Sequence, residues 1–120
     1  MKTNPKMIIP REEDEQKALV KWLRIKGWRF THIAHGGNYS RNLGVKLKAM
    51  GLSPGVPDLM IIVPERGLVF IELKRQKGGV ISAEQCDWID ALDDCPGVRC
   101  TVCKGCMPAI EYLNNLTKNA

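Results

Sequence analysis

The sequence predicts a single α/β domain, a mixed four-stranded sheet flanked by helices. Three observations lead there. Segments of helical and strand character alternate in the order α-β-(α)-β-β-α-β-α, a pattern that places helices on the faces of a mixed sheet. Two short runs, "LMIIV" and "LVFIELK", are apolar on both faces, as central strands of a covered sheet are. The chain has 120 residues, 44% hydrophobic and 26% charged, which suits one cored domain. Residues 1–10 read as an N-terminal tail and 11–116 as the domain.

In chain order, "REEDEQKALVKWLRIKG" is the first helix. Acids crowd its first turn, apolar residues recur as Leu19, Val20, Trp22, Leu23 and Ile25, and Gly27 stops it. "WRFTHIA" is rich in aromatic and β-branched residues and reads as a strand. From His35 to Pro54 the chain is basic and punctuated by glycine, with a short helix expected in "SRNLGVKLKAMG". "LMIIV" and "LVFIELK" are joined by "PERG", read as a four-residue turn that pairs Val63 with Leu68. "SAEQCDWIDALDDC" opens on a capping box, Ser82 with Gln85, and carries Cys86, Ile89 and Leu92 on one stripe. "GVRCTVC" is the fourth strand, and the closing helix is expected to start at Pro108.

The net charge of +5 favours a polyanionic partner. No apolar run reaches the roughly 18 residues of a membrane span, and the N-terminal run is too short for a signal peptide, so the cytoplasm is the expected location. There the five cysteines are expected as thiols. Cys100, Cys103 and Cys106 repeat every three residues, but strand geometry points Cys100 and Cys103 to opposite faces, so structural zinc is not expected.

The residues that invite chemistry are Asp58, Glu72 and Lys74, at the far ends of the two apolar runs. An ionised carboxylate removed from water needs a partner or a cation. Glu72 and Lys74, two apart in a strand, share a face. With a four-residue turn, Asp58 falls opposite Leu73 and points away. A bulge that shifts the register by one residue, or an irregular start to its strand beside Pro57, brings it back.

The spacing of Pro57-Asp58, thirteen residues, then Glu72-Leu73-Lys74 resembles the signature of PD-(D/E)XK nucleases. "GVPDL", "IELK" and "SAEQ", with Glu12 and Gln16 four apart upstream, resemble the VRR-NUC (virus-type replication-repair nuclease) branch across about residues 11 to 115. The resemblance implies a restriction-endonuclease-like core and a Mg²⁺-dependent deoxyribonuclease, with Mn²⁺ able to substitute. It implies Asp58, Glu72, the backbone carbonyl of Leu73 and Glu12 as metal ligands, and Lys74 and Gln85 as their catalytic companions. Mg²⁺ suits phosphodiester hydrolysis, because it takes oxygen ligands and retains water and substrate phosphate.

Arg41, Lys46, Lys48, Arg75 and Lys77 flank these residues and are candidates to hold phosphates. The resemblance implies branched, Holliday-junction-like DNA as the substrate, and the paired cuts that a junction needs lead to an expected homodimer. The competing readings are a non-selective nickase or exonuclease, and a basic DNA-binding module whose acids are structural.

Overall fold

The protein is described by a computed structural model covering residues 8–33 and 40–118. Most of the expected tail, and His35, lie outside the described residues. Helix α1 (Glu12–Lys26) has Glu12, Glu13, Asp14 and Glu15 in its first turn and Arg24 and Lys26 in its last, charges that match the helix dipole at both ends. It ends at Gly27, whose φ of 74° lets its N–H reach back to the carbonyls of Leu23 and Arg24.

Strand β1 (Arg29–His32) is followed by α2 (Arg41–Ala49), started by the Ser40 hydroxyl accepting from the Leu43 N–H. No residue of α2 is buried. Then come β2 (Leu59–Val63), β3 (Gly67–Lys74), α3 (Ala83–Asp93), β4 (Val98–Lys104) and α4 (Cys106–Thr117).

The strands lie in the order β1-β2-β3-β4. The first three are antiparallel, and β4 joins β3 in parallel through the α3 crossover, which makes the sheet mixed as expected. Leu59, Ile61 and Val63 of β2 and Val69, Ile71 and Leu73 of β3 face one way. With Leu19 and Leu23 of α1 and Ala109 and Leu113 of α4 they form the core, all within 1% of full burial. Trp22 and Trp28 border it edge to face, with ring centroids 5.6 Å apart.

Four expectations are corrected. The β2–β3 turn is Pro64–Arg66, and Val63 pairs with Gly67 rather than Leu68. Glu65 takes a φ of 65°, a left-handed conformation that shortens the loop by one residue. The second face of β2 is not fully covered, since Ile62 is 46% exposed. Helix α3 buries none of its residues completely, and Cys86 is exposed rather than part of a buried stripe. Helix α4 begins at Cys106, two residues before Pro108.

Its beginning has a distant cap. Glu15, buried in α1, accepts from the Cys106 N–H at 3.0 Å through one carboxylate oxygen and from the Gln76 amide at 2.8 Å through the other. Gly105 leaves room for this carboxylate, because a Cβ there would lie 3.1 Å from Glu15 Oε2. Sequence reading treats Glu15 as one exchangeable acid among four; packing makes it the link between α1, α4 and the segment after β3.

Removing a buried, charged hydrogen-bond acceptor leaves two donors without partners. Glu15→Ala is expected to cost about 3 kcal/mol in urea denaturation, whereas Glu13→Ala, which loses only an exposed pair with Lys17, should shift the midpoint little.

Candidate active site

Beta-strand register decides the site. Leu59 pairs with Ile71, so one step back sets Asp58 beside Glu72 on a shared face. The one-residue shift comes from a shorter turn, and the pairing of β2 with β3 is unbroken, without the bulge that the sequence offered as one of two routes. Asp58 lies just before β2 and is fixed from several sides. Its carboxylate Oδ2 accepts from the Leu73 N–H at 2.9 Å, and its carbonyl accepts from the Ile33 N–H at 2.7 Å. His32 Nδ1 lies 3.0 Å from the same carbonyl and 3.1 Å from the Gln16 amide nitrogen. Nδ1 can serve one of these at a time, donating to the carbonyl or accepting from the amide.

Glu72 is 1% exposed. Its Oε2 accepts from Lys74 Nζ at 3.2 Å and from Gln85 Nε2 at 2.9 Å. Its Oε1 is buried and has no hydrogen-bond partner among the described residues. Burial, reinforced by the neighbouring charge of Asp58, pushes the Glu72 carboxyl up to about 7, against the opposing pull of Lys74. Glu12, half-buried at the start of α1, is raised for the same two reasons, burial first and Asp58 second. One carboxylate oxygen each from Glu12, Asp58 and Glu72 lies within 4.8 Å of the others.

Gln85 reconciles two roles that the sequence offered as alternatives. Its Oε1 accepts from the Ser82 N–H at 2.9 Å in the capping box, while its Nε2 reaches Glu72. The glycine of "GVPD" explains how α3 comes so near. Gly55 has a φ of 97°, and a Cβ there would sit 2.5 Å from the carbonyl carbon of Glu84. The backbone before Asp58 therefore lies directly against the first turn of α3.

The structure thus brings together Glu12, Asp58, Glu72, Lys74 and Gln85, with the backbone N–H of Leu73 held by Asp58 and the Leu73 side chain in the core. It separates Gln16 from that group, turning it to His32. His32 had drawn no assignment from the sequence, and nothing in the local pattern distinguishes it. Arg41, Lys46 and Lys48 lie exposed on α2, and Arg75 and Lys77 lie exposed after β3. The three spaced cysteines are buried around β4 and the start of α4, where burial pushes the Cys100 and Cys103 thiols up to about 12 and 11.

Three carboxylates from α1, β3 and the segment before β2, one with an unsatisfied buried oxygen, fit a hard divalent cation with oxygen ligands. Acids crossing the end of a mixed sheet, with a lysine two residues on, define a nuclease site of the PD-(D/E)XK type. The VRR-NUC domain family model matches residues 10–107, and the chain belongs to that family. One solved structure, described as "VRR_NUC domain protein", is 22% identical with a TM-score of 0.76, covering 93% of this chain and 92% of its own. A second, "VRR_NUC domain", is 18% identical with a TM-score of 0.59, covering 89% and 94%. These two confirm the fold. No curated protein matches significantly.

The raised Glu72 carboxyl has a testable sign. Between its ordinary value of 4.5 and about 7, the folded protein holds a proton that the unfolded chain has released. This contribution is fully present below pH 4.5 and is lost as pH rises through 7. At 1.36 kcal/mol per unit its ceiling is about 3 kcal/mol. Metal-free protein should therefore unfold at lower urea at pH 8 than at pH 5.5, Glu72→Gln should flatten the difference, and Mg²⁺ should stabilise most at pH 8.

Proposed function

We propose that the protein is a Mg²⁺-dependent endonuclease that hydrolyses phosphodiester bonds in branched, Holliday-junction-like DNA, with Mn²⁺ able to substitute. The observation that carries the metal site is the buried Glu72 carboxylate, whose Oε1 has no partner among the described residues and which lies in reach of Asp58 and Glu12. Glu12, Asp58, Glu72 and the Leu73 carbonyl would hold the ion. When bound, it supplies charge relief at the phosphoryl oxygens and acidifies a water.

The remaining roles belong to the side chains. Lys74, 8% exposed and held by Glu72, presents an ammonium where the attacking water must be oriented and where negative charge grows. Gln85 fixes the rotation of the Glu72 carboxylate by holding Oε2, which leaves Oε1 available to a cation. His32 and the Ile33 N–H fix the backbone of Asp58, so that its carboxylate enters the cluster from one direction. Arg41, Lys46, Lys48, Arg75 and Lys77 are the proposed phosphate contacts. Their exposure supports that role.

Preference for branched DNA follows the likeness to VRR-NUC proteins. A four-way junction needs matched nicks on opposed strands, which a two-fold pair of sites supplies, so the proposed working form is a homodimer. Helix α2 supports it by exposing Val45 and Leu43 beside its basic residues. A cytoplasmic site of action fits a DNA substrate; among the described residues, no helix is long and apolar enough to cross a membrane.

Asp58→Asn and Glu72→Gln should each lower cleavage of a four-way junction at least about 10³-fold in Mg²⁺ while retaining DNA binding in EDTA. Near wild-type turnover in either variant would exclude the metal site. Glu12→Gln should raise the Mg²⁺ concentration for half-maximal rate, and Glu13→Gln should leave it unchanged. Light scattering at assay concentration should give twice the monomer mass; a monomer that makes symmetric paired cuts would overturn the dimer.

A further inference from the structure

Away from the acid cluster, α1 forms one wall of a groove of about 650 Å³ lined by Gln16, Lys17, Val20, Lys21, Arg24 and Ile25. Three of these six carry positive charge, and none is acidic. Lys17, Lys21 and Arg24 recur at i, i+4 and i+7, so their side chains form one stripe along the helix. Lys17 shares its charge with Glu13 at 3.0 Å, which leaves Lys21 and Arg24 as the less committed pair. Val20 and Ile25 add apolar surface on either side of the charged stripe, and Ile25 is 77% exposed.

The position of the groove gives the charges meaning. Gln16 is among its lining residues, and Glu12 lies one helical turn before Gln16, in the acid cluster. Gln16 also lies 3.1 Å from His32, the residue beside the Asp58 carbonyl, so the groove begins next to the frame of the site itself. From Lys17 to Arg24 the helix advances about 10 Å at 1.5 Å per residue. That length is enough to meet two successive phosphates of one strand.

We infer that this groove holds the sugar–phosphate backbone of the cleaved strand on one side of the scissile bond, with Lys21 and Arg24 on successive phosphates and Val20 and Ile25 under the sugars. It is a surface distinct from the basic residues of α2 and of the segment after β3. The inference rests on the nuclease reading for its ligand, and on the groove's own composition for its chemistry.

Two arms test it. In EDTA, binding of a labelled junction and a labelled duplex is measured by anisotropy across 50–200 mM KCl. Lys21→Gln with Arg24→Gln should weaken binding about tenfold and reduce the salt slope by about 1.5, because two phosphate contacts are lost. Both residues are exposed, so the fold should tolerate the change. Lys118→Gln, at the C-terminal cap of α4, serves as the control and should change the slope by less than half of that.

In the second arm, wild-type protein cuts DNA carrying neutral methylphosphonate linkages at the first four positions on either side of the cut. Neutral linkages on one side only should raise KM at least fivefold, and this penalty should disappear in the Lys21/Arg24 double variant. An unchanged salt slope, or penalties that persist in the double variant, would overturn the groove. Absence of any cleavage in Mg²⁺ or Mn²⁺ would instead overturn the nuclease reading, and the binding arm would still decide the groove.

Discussion

The hairpin between β2 and β3 sets the register on which the rest of the site depends. A slip of one residue turns every side chain of a strand to the other face. Here the short turn holds Val63 against Gly67, closed by the Arg66 N–H to the Val63 carbonyl at 3.0 Å. Pro64 suits the first central position of such a turn, and Glu65 accepts the left-handed conformation at the second. Gly67 then serves both of its neighbours. It pairs with Val63, and a Cβ on it would lie 2.6 Å from the Gly97 carbonyl, so its bareness lets the chain entering β4 come close. From that one corner, Asp58 is set beside Glu72 at the other end of the strands.

Two buried glutamates show what distinguishes an architectural carboxylate from one left incomplete. Glu15 has a donor for each oxygen, the Cys106 N–H and the Gln76 amide, and joins three parts of the fold. Glu72 takes two donors on one oxygen and none among the described residues on the other. Its neighbours include two further carboxylates, which add repulsion to the cost of burial. A protein gains no stability from that arrangement in the absence of a cation, and a cation removes both costs at once.

The surroundings of the site follow from the need to hold such a group still. Gly55 admits the first turn of α3, which delivers Gln85 to Glu72. Glu15 anchors the turn of α1 that carries Glu12, three residues earlier. His32, at the end of the edge strand, steadies the backbone of Asp58. Each support comes from a different element, so the cluster forms only when the whole sheet and its helices are assembled.

The sequence by itself determined the elements and most of the chemical cast. Local rules act over a few residues, so the acid-rich start of α1, its glycine stop, the capping box at Ser82 and the shared face of Glu72 and Lys74 were all legible. The spacing of Asp58, Glu72 and Lys74 was legible too, as a likeness to a family to which the chain belongs. Tertiary structure decided what depends on distance. A turn one residue shorter than its sequence suggested put Asp58 on the right face, because loop length is set by a backbone conformation that Glu65 adopts against its local preference. Glu12 was separated from its equally acidic neighbours, with Glu15 turned to α4 and Gln16 to His32, because helix periodicity gives faces but not what each face meets. The unpartnered oxygen of Glu72 lay beyond any reading of the chain, since it is a property of the space between five residues drawn from three elements and the segment before β2.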